Sequence, residues 1–282
     1  MAKFLITGGD GMFAYAIKEH PFFAEHTSYG SKDFNLLNYQ QMEEQIQKDK
    51  PEYLINCAAY TNVTKAETEQ ELAYKVNAEA VKDLTELSNR YDFRLVQIST
   101  DFVFKGNDYI AKKESDPIDP VNIYGESKAV GEVFVISHAH NCLIFRVSWL
   151  FGPKGNNFIS NIAELIKTRD ELNVISDQYG RLTYTIDAAD ALAKLIKNSA
   201  TGIYHFANEG IASRFQIALD IELLLNKYGF ATKSFIKPIL AKEYIDKTPR
   251  PTFSILDTEK IEKTLDIKIR NWKEALADFL KV

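Results

Sequence analysis

The sequence has few of the features that mark membrane, secreted or nucleic-acid-binding proteins. Its 282 residues include two cysteines, and the formal net charge is −5. Two cysteines in apolar contexts favour reduced thiols, and an acidic balance leaves no basic surface for nucleic acid. No run reaches the ~18 consecutive apolar residues of a membrane-spanning helix, and the opening MAKFLITGGDG is unlike a signal peptide. We therefore expect a soluble, cytoplasmic protein without a membrane or nucleic-acid partner.

The spacing of metal ligands is also missing. The five histidines form no ligand-spaced set with the two cysteines. The pair His138 and His140 is expected at a helix end, where it would be exposed. The sequence therefore predicts no metal site.

Short apolar runs alternate with amphipathic stretches through the first half of the chain. Five runs are typical of strands: KFLIT, TSYG, EYLINCA, FRLVQIST and NCLIFRVS. The stretches between them favour helices near residues 12–20, 40–48 and 77–91, and another that begins at Tyr124. Apolar strands separated by helices indicate a parallel sheet covered on both faces, which is the doubly wound α/β class known as the Rossmann fold.

The pattern changes after Trp149. Helix-forming segments NNFISNIAELIKT, IDAADALAKLIKN and SRFQIALDIELLLNKYG surround one strand, GIYHFAN. We expect these pieces not to extend the first sheet in a simple way, and to form a smaller α/β lobe over the carboxyl ends of the parallel strands. The chain is thus divided into a Rossmann domain, mainly residues 1–150, and a second lobe, mainly residues 151–282. Exchange of a strand or helix between them is left open.

A glycine turn follows the first strand. ITGGDGMFA places Gly8, Gly11 and Ala14 in a G-x-x-G-x-x-A spacing that opens a helix at Met12. Side chains at the glycines would block a pyrophosphate from the N–H groups at the helix start. An ordinary strand-turn-helix is the alternative, but the position within a βαβ pattern favours dinucleotide binding by Gly8, Gly11 and Met12.

The end of the second strand indicates which dinucleotide is bound. In TSYGSKDFN, Ser31 and Lys32 stand where a carboxylate would hold the ribose 2′-hydroxyl of NAD. A hydroxyl and an ammonium suit a 2′-phosphate, so NADPH is the preferred cofactor. NADH is the alternative if Lys32 is only a surface residue and Asp33 turns inward. Asn35 is predicted as a further cofactor contact.

Hydroxyl and amine groups come together at the next site. Thr100 ends a parallel strand, and YGESKAVGE then places Tyr124 and Lys128 on one helix face. A tyrosine has an ordinary pKa near ~10, which a nearby ammonium and an oxidised nicotinamide lower. We predict that Tyr124 gives the proton in a ketone reduction, that Thr100 orients the substrate oxygen, and that Lys128 holds the nicotinamide ribose.

These motifs, in this order, resemble the extended short-chain dehydrogenase/reductase family over nearly the whole chain. STDFVFKG and YGESKAVGE are similar to its catalytic segments, and NCAAYTNVTKAE is similar to its third-strand segment. FRVSWLFG, GNNF, DQYGRLT and RPTFSIL resemble the substrate side of its nucleotide-sugar reductases. The resemblance implies NAD(P)H-dependent reduction of the C4 ketone of dTDP-6-deoxy-L-lyxo-4-hexulose (dTDP-4-dehydro-L-rhamnose) to dTDP-L-rhamnose, by a monomer or a homodimer.

The resemblance also implies site residues. Further cofactor contacts would be Ala58, Ala59, Tyr60 and Asn77, beside Tyr124 and Lys128. The substrate side would comprise Thr100, Asp101, Phe102, Arg146, Trp149, Asn157, Arg181 and Arg250. Guanidinium groups bind a diphosphate in bidentate fashion, and an indole offers a flat apolar face to a deoxysugar. Alternatively, Arg146 is an ion-paired strand residue and Trp149 belongs to the core.

Departures from the family pattern leave other readings open. Thr64 stands where the family usually has aspartate, and Leu182 stands where it usually has proline. Both bear on the sugar more than on the reaction, so another nucleotide-linked 4-keto-6-deoxysugar is an alternative substrate. Asp101 lacks the following acid of a 4,6-dehydratase, and a 4-epimerase resembles the chain less. From a different class, a non-catalytic NADP-binding regulatory subunit like that of methionine adenosyltransferase also keeps a Tyr-x-x-x-Lys.

Overall fold

Strands within residues 3–281 fall into one large and three small sheets. The computed structural model describes residues 3–281. Its strands are β1 Phe4–Thr7, β2 His26–Tyr29, β3 Tyr53–Asn56, β4 Arg94–Thr100, β5 Cys142–Val147, β6 Leu150–Phe151, β7 Glu171–Ile175, β8 Tyr179–Gly180, β9 Thr183–Tyr184, β10 Gly202–Phe206, β11 Ala212–Ser213, β12 Phe235–Ile239 and β13 Phe253–Ser254.

The helices cover the large sheet and build the second lobe. They are α1 Met12–Glu19, α2 Tyr39–Asp49, α3 Val63–Ala66, α4 Gln70–Tyr74, α5 Ala80–Tyr91, α6 Ile123–His138, α7 Phe158–Thr168, α8 Thr185–Lys197, α9 Arg214–Lys227, α10 Glu259–Leu265 and α11 Trp272–Leu280. Within residues 3–281, none of these helices is long and apolar enough to cross a membrane.

The large sheet has the order β2-β1-β3-β4-β5-β10, and every pairing in it is parallel. The predicted Rossmann fold is therefore confirmed, including the short second strand. The chain leaves β1 toward one edge and returns at β3 on its other side. In open α/β sheets, ligands bind at such a switch point, beyond the carboxyl ends of the strands.

Two apolar layers explain why the strands read as nearly continuous hydrophobic runs. On one sheet face, Phe4 and Phe145 pack in a core with α1 and α8, to which α8 contributes Leu192. On the other face, Leu54 packs in a core with α2, α5 and α6, to which α5 contributes Leu84. Because both faces are buried, alternate strand residues are equally apolar.

One strand and one helix of the second half join the large sheet, which is the exchange that the sequence left open. Strand β10 pairs with β5 in the large sheet, with His205 opposite Arg146. Helix α8, which leads into β10, packs on α1 in the same core. Residues 185–206 therefore extend the first sheet, although they follow Trp149 in sequence. A strand that is buried on both faces carries no local signal of which sheet it joins.

The remaining second-half elements form the smaller lobe. Helices α7, α9 and α11 enclose an apolar core with the pair β7-β12. A three-stranded sheet, β11-β8-β13, lies between this core and the end of β4. Except for GIYHFAN, the strands of this half were not predicted. Within residues 3–281, five of them have two residues each and so no period to recognise, whereas β7 and β12 have five residues each.

The helix that was predicted to start at Asn77 begins earlier in the structure. It runs from Gln70 to Tyr91, with a π-helical turn at Lys75–Glu79 in place of the predicted start at Asn77. A π turn inserts an extra residue into the helical repeat, and such turns are frequent at functional sites. This one contains Asn77.

Candidate active site

The glycine turn is pressed against the end of β3. Gly8 has φ 63°, and a Cβ there would lie 2.7 Å from the backbone nitrogen of Ala58. Gly11 is the N-cap of α1, and in the described chain no side chain caps that helix and its first turn holds no acid. The first N–H groups of α1 are thus available to an anion, which the helix dipole also favours.

The predicted 2′-phosphate residues lie beside this turn. Ser31, Lys32 and Asn35 are exposed just past β2, and the backbone of Gly9 joins the two loops by donating to the Tyr29 carbonyl at 2.8 Å. Gln41 holds the loop by donating to the Lys32 carbonyl at 3.1 Å. Nothing in the free chain pairs the exposed Lys32 ammonium with an acid within residues 3–281, so it is open to an anionic group.

Asn77 acts on the loop after β3 through its backbone. Its side-chain oxygen accepts from the N–H of Tyr60 at 2.9 Å, and its amide donates to the Tyr60 carbonyl at 3.0 Å and to Ser127 Oγ at 3.0 Å. Asn77 is 1% exposed. It therefore shapes the cofactor loop instead of facing the cavity, which corrects its predicted contact role.

Only part of the predicted Ala-Ala-Tyr segment faces the cavity. Ala59 lines it, whereas Ala58 packs against Gly8. The Tyr60 hydroxyl donates to Glu69 at 2.7 Å and so points away from the cavity. Cys57 is a free thiol that packs against the core of the large sheet and also lines the cavity.

Two glycines explain how α6 is placed. A Cβ at Gly125 would overlap the carbonyl oxygen of Phe102, and one at Gly131 would overlap that of Asn77. Asn122 caps the helix by accepting from the Gly125 N–H at 2.8 Å, as Ser, Asp and Asn commonly do. The motif YGESKAVGE thus lets the first turn of α6 approach the segment after β4 closely, and lets its middle approach the π-helical turn at Lys75–Glu79.

This close approach buries both predicted catalytic side chains of α6. Lys128 Nζ donates to the Ile98 carbonyl at 2.8 Å, and burial lowers its pKa to about 8 while Glu132 acts to raise it. Burial raises the pKa of Tyr124 to about 12, although hydrogen bonding by Thr100 lowers it. Burial therefore opposes the lowering of the tyrosine pKa that was expected from an ammonium and an oxidised nicotinamide, because desolvation of the phenolate outweighs the stabilisation that Thr100 gives it.

Asp101 is held between the two lobes. Thr100 Oγ1 donates to one carboxyl oxygen at 3.0 Å, and Ser254 of β13 donates to the other. The carboxyl is buried, and desolvation raises its pKa to about 6 against the opposing effect of these hydroxyls. Phe102 packs its ring edge on Tyr124, at 5.5 Å between centroids.

A cavity of about 470 Å³ collects these groups at the carboxyl edge of the sheet. Gly11 and Met12 lie on one side, Thr100, Tyr124 and Lys128 at the base, and Trp149 opposite. Ser99 also lines it, although its hydroxyl oxygen is buried and has no hydrogen-bond partner among the described residues.

Trp149 and an arginine that was not predicted form a stack at the far end. The indole lies on Gly180, where a Cβ would overlap the ring, and Trp149 itself has φ 43°. The guanidinium of Arg214 lies 4.4 Å from the Trp149 ring centroid and 5.1 Å from that of Phe158. Among residues 3–281, Arg214 makes no ion pair. Burial lowers its pKa to about 10.

A sequence signal for Arg214 exists. Ser213 and Gln216 form a capping box, which makes Arg214 the first residue of α9. A cation at a helix amino terminus is disfavoured by the helix dipole, so an arginine at this position indicates a role other than stabilising the helix.

Two predicted substrate contacts, Arg146 and Arg181, are engaged elsewhere in the fold, whereas the contact predicted for Asn157 stays a prediction. Arg146 is 2% exposed and pairs with Glu132 at 2.5 Å, inside the sheet-helix layer and outside the cavity. Arg181 donates to the carbonyls of Asn208 and Leu256, both at 3.0 Å, and so ties loops together. Asn157 caps α7 by accepting from Ser160, at 3.0 Å.

A second cavity, of about 610 Å³, adjoins the first and shares Phe158, Arg214 and Arg250 with it. It lies between α7, β7 and the segment 241–250, and Lys242 and Lys247 add positive charge to its wall. The one acid in the lining, Asp246, is paired with Arg250 at 2.8 Å. The first cavity thus holds the predicted catalytic residues, and the second has a positively charged wall.

The family model described as RmlD substrate binding domain matches residues 2–282. The chain belongs to this family. It is 35% identical to the spore coat polysaccharide biosynthesis protein SpsK of Bacillus subtilis, over 100% of this chain and 98% of that protein. It is 33% identical to the dTDP-4-dehydrorhamnose reductase of Aggregatibacter actinomycetemcomitans, over 98% and 97% of the two chains.

Solved structures of similar proteins agree over the whole fold. A Bacillus anthracis dTDP-4-dehydrorhamnose reductase in complex with NADP superimposes with a TM-score of 0.94 at 33% identity, covering 99% of both chains. A dTDP-4-dehydrorhamnose reductase from Clostridium acetobutylicum gives a TM-score of 0.91 at 34% identity, covering 99% of this chain and 98% of that one.

In this RmlD family member, the two residues that depart from the family pattern, Thr64 and Leu182, lie near the two cavities. Thr64 Oγ1 donates to Asp246 at 2.7 Å and accepts from Arg250 at 3.2 Å, which links the loop after β3 to the segment 241–250. Leu182 is buried and lines the first cavity. A threonine thus joins an ion pair where an aspartate would repel Asp246.

Proposed function

We propose that this RmlD family member is an NADPH-dependent reductase that converts the C4 ketone of dTDP-4-dehydro-L-rhamnose to the hydroxyl of dTDP-L-rhamnose. One observation carries the proposal. A single cavity holds Thr100, Tyr124 and Lys128 next to a bare glycine turn, and it opens into a second cavity with a cationic wall. The first arrangement suits hydride and proton addition to a ketone, and the second suits a nucleoside diphosphate.

The residues present fit a dinucleotide. Gly8 and Gly11 leave room for a pyrophosphate at the uncapped start of α1. Exposed Ser31 and Lys32 suit a 2′-phosphate, and the Bacillus anthracis relative is in complex with NADP. We therefore assign NADPH as the preferred cofactor and NADH as the weaker one. When bound, the reduced nicotinamide supplies the hydride.

The chain's own groups supply the proton. A buried phenol with a pKa of about 12 stays protonated at neutral pH, which is the form a reductase needs in its general acid. The ketone oxygen becomes negative as hydride arrives, and Tyr124 donates to it. Lys128, with a pKa of about 8, keeps most of its charge at pH 7 and stabilises the phenolate that remains.

The substrate's diphosphate is assigned to the boundary of the two cavities. Arg214 and Arg250 line both of them. Arg214 is oriented by stacking on aromatic rings, so its N–H donors are free for phosphate oxygens. Trp149 then lies between the diphosphate and Tyr124, where the deoxysugar belongs.

Oxidation of NADPH and of NADH with enzymatically made dTDP-4-dehydro-L-rhamnose tests the function. Tyr124→Phe keeps the ring and removes the proton donor, so kcat is expected to fall by about 10²- to 10⁴-fold. Tyr91→Phe is the matched control, because that hydroxyl donates to Glu43 at 2.7 Å, remote from the cavity. Bound NADPH without oxidation would reject this substrate, and equal activity of Tyr124→Phe would reject the assigned proton donor.

A further inference from the structure

The hydrogen bonds around Asp101 connect the catalytic strand to the smaller lobe. Thr100 Oγ1 lies 3.0 Å from Oδ1 of Asp101, and Ser254 Oγ hydrogen-bonds Oδ2. All three residues are buried, with Asp101 2% and Ser254 5% exposed. An ionised carboxylate only accepts, so both hydroxyls must donate to it.

This arrangement uses the only proton of Thr100. Its oxygen also accepts from the N–H of Phe102 at 3.2 Å, so its remaining interactions are limited. Tyr124 is a second acceptor for that proton, since it lines the same cavity as Thr100 and a hydrogen bond from Thr100 acts to lower its pKa. One hydroxyl cannot donate to the carboxylate and to the phenolate at the same time.

We propose that Ser254 is a positioning residue for the reduction, because its hydrogen bond satisfies Asp101 when the Thr100 hydroxyl turns toward Tyr124. The proposal rests on the proposed function. In the proton step, the O–H bond of Tyr124 breaks and a new O–H bond forms on the substrate oxygen. Thr100 keeps its proton and changes its acceptor from Asp101 Oδ1 to the new phenolate. Asp101 stays ionised throughout and keeps the bond from Ser254.

Titratable and polar side chains from several elements face Asp101. Tyr124 faces it from α6, Arg214 from α9 and Ser254 from β13. Burial is the main influence and raises the pKa of Asp101 to about 6, whereas Ser254, Thr100 and then Arg214 lower it. Loss of the Ser254 hydroxyl therefore raises that pKa further.

Kinetics of Ser254→Ala and Ser254→Thr provide the first test. Removing one hydrogen bond to a charged group is expected to lower kcat by about 10-fold or more and to leave KM within about twofold. Ser254→Thr keeps the hydroxyl and is expected to restore kcat. Ser234→Ala is the matched control, because that buried serine of the same lobe donates only to main-chain carbonyls, including Arg169 at 2.5 Å.

Stability against pH provides the second test and needs neither substrate nor cofactor. The folded pKa of Asp101 lies above its ordinary value of 3.8. Protonation of Asp101 therefore stabilises the folded state. This stabilisation is fully present below pH 3.8 and is lost as the pH rises through about 6. Without Ser254 the ionised form loses a donor, so Ser254→Ala is expected to cost more stability at pH 8 than at pH 5. Ser234→Ala is expected to cost the same at both.

The outcomes separate the two proposals. A parent protein that reduces no keto sugar would refute the function and, with it, a role for Ser254 in reduction. With an active parent, an unchanged kcat, a rise in KM alone, or a stability loss independent of pH in Ser254→Ala would overturn the positioning role. A lowered kcat that Ser254→Thr restores, together with a larger stability loss at pH 8, would support it.

Discussion

At the scale of single residues, the arginines show how tertiary pairing decides function. Arg146 and Arg181 are fully occupied, one by the buried Glu132 and the other by main-chain carbonyls. Arg214 has aromatic rings beneath it and no acid partner among residues 3–281. A buried pair is strongly destabilised when one partner is removed, so Arg146 is better understood as a structural residue.

We predict that Arg214→Ala weakens binding of dTDP by about 10- to 100-fold, because charge-assisted hydrogen bonds contribute ~1.5–3 kcal/mol and each 1.4 kcal/mol is a factor of ten. Arg214→Lys keeps the charge but loses the planar fork and the stack on Trp149, so an intermediate affinity is expected. Isothermal titration calorimetry with dTDP measures both.

Arg169→Ala is the control for that experiment, since Arg169 is an exposed arginine of the same lobe. Its affinity for dTDP should equal that of the parent. If Arg214→Ala also binds dTDP like the parent, the diphosphate lies elsewhere and the role of the second cavity must be reassigned.

Some of the site was predictable from sequence and some was not. The spacing in YGESKAVGE and the strand end at Thr100 predicted side chains that the fold does bring into one cavity, because helix period and sheet edge are local properties. The hydrogen bond from Ser254 to Asp101 joins distant segments, so no local pattern encodes it. For Arg146 the sequence left an ion pair open as the alternative, and only the packing identifies Glu132 as its partner. The raised pKa of Tyr124 likewise depends on burial that only the packed structure reveals.

At the scale of elements, α6 packs closely on its neighbours because its glycines have no side chain. Gly125 lies against the carbonyl of Phe102, directly past β4. Alanine is the better helix former by about 1 kcal/mol, so a glycine here opposes helix propensity for the sake of close packing. The sequence predicted the helix correctly, but the reason for its glycines appeared only with the packing.

We predict that Gly125→Ala destabilises the protein by about 1–3 kcal/mol, because the added methyl overlaps a backbone oxygen and α6 must shift. Since Tyr124 precedes this glycine, kcat should fall by at least about tenfold through misplacement of the phenol. Urea denaturation and NADPH oxidation measure the two effects.

An exposed position of the same helix supplies the comparison. Val133 is 48% exposed, so Val133→Ala should change stability by less than about 0.5 kcal/mol and leave kcat unchanged. A Gly125→Ala protein with parental stability and kcat would contradict the packing argument.

At the scale of the whole molecule, the two lobes are interlocked. Strand β10 returns from the second half to the large sheet, and α8 joins its core. Cross-lobe hydrogen bonds add to this: Asn122 donates to the Pro249 carbonyl at 2.8 Å, and Phe253 donates to the Gly106 carbonyl at 2.8 Å. A division near residue 150 stays a prediction about function, since the large sheet includes β10 and the core on one of its faces includes α8, both from the second half of the chain.

We predict that the lobes unfold together, which the placement of two tryptophans makes measurable. Trp149 and Trp272 both pack in or against the core of the smaller lobe, so their fluorescence reports on that lobe, whereas far-ultraviolet circular dichroism reports on all helices and strands. In urea the two signals should give one midpoint, as two-state unfolding requires. NADP at about 100 times its Kd should raise both midpoints equally, by a stabilisation of ~2.7 kcal/mol. A fluorescence transition at lower urea, unmoved by NADP, would mean that the smaller lobe unfolds by itself and that the β10 exchange does not couple the two.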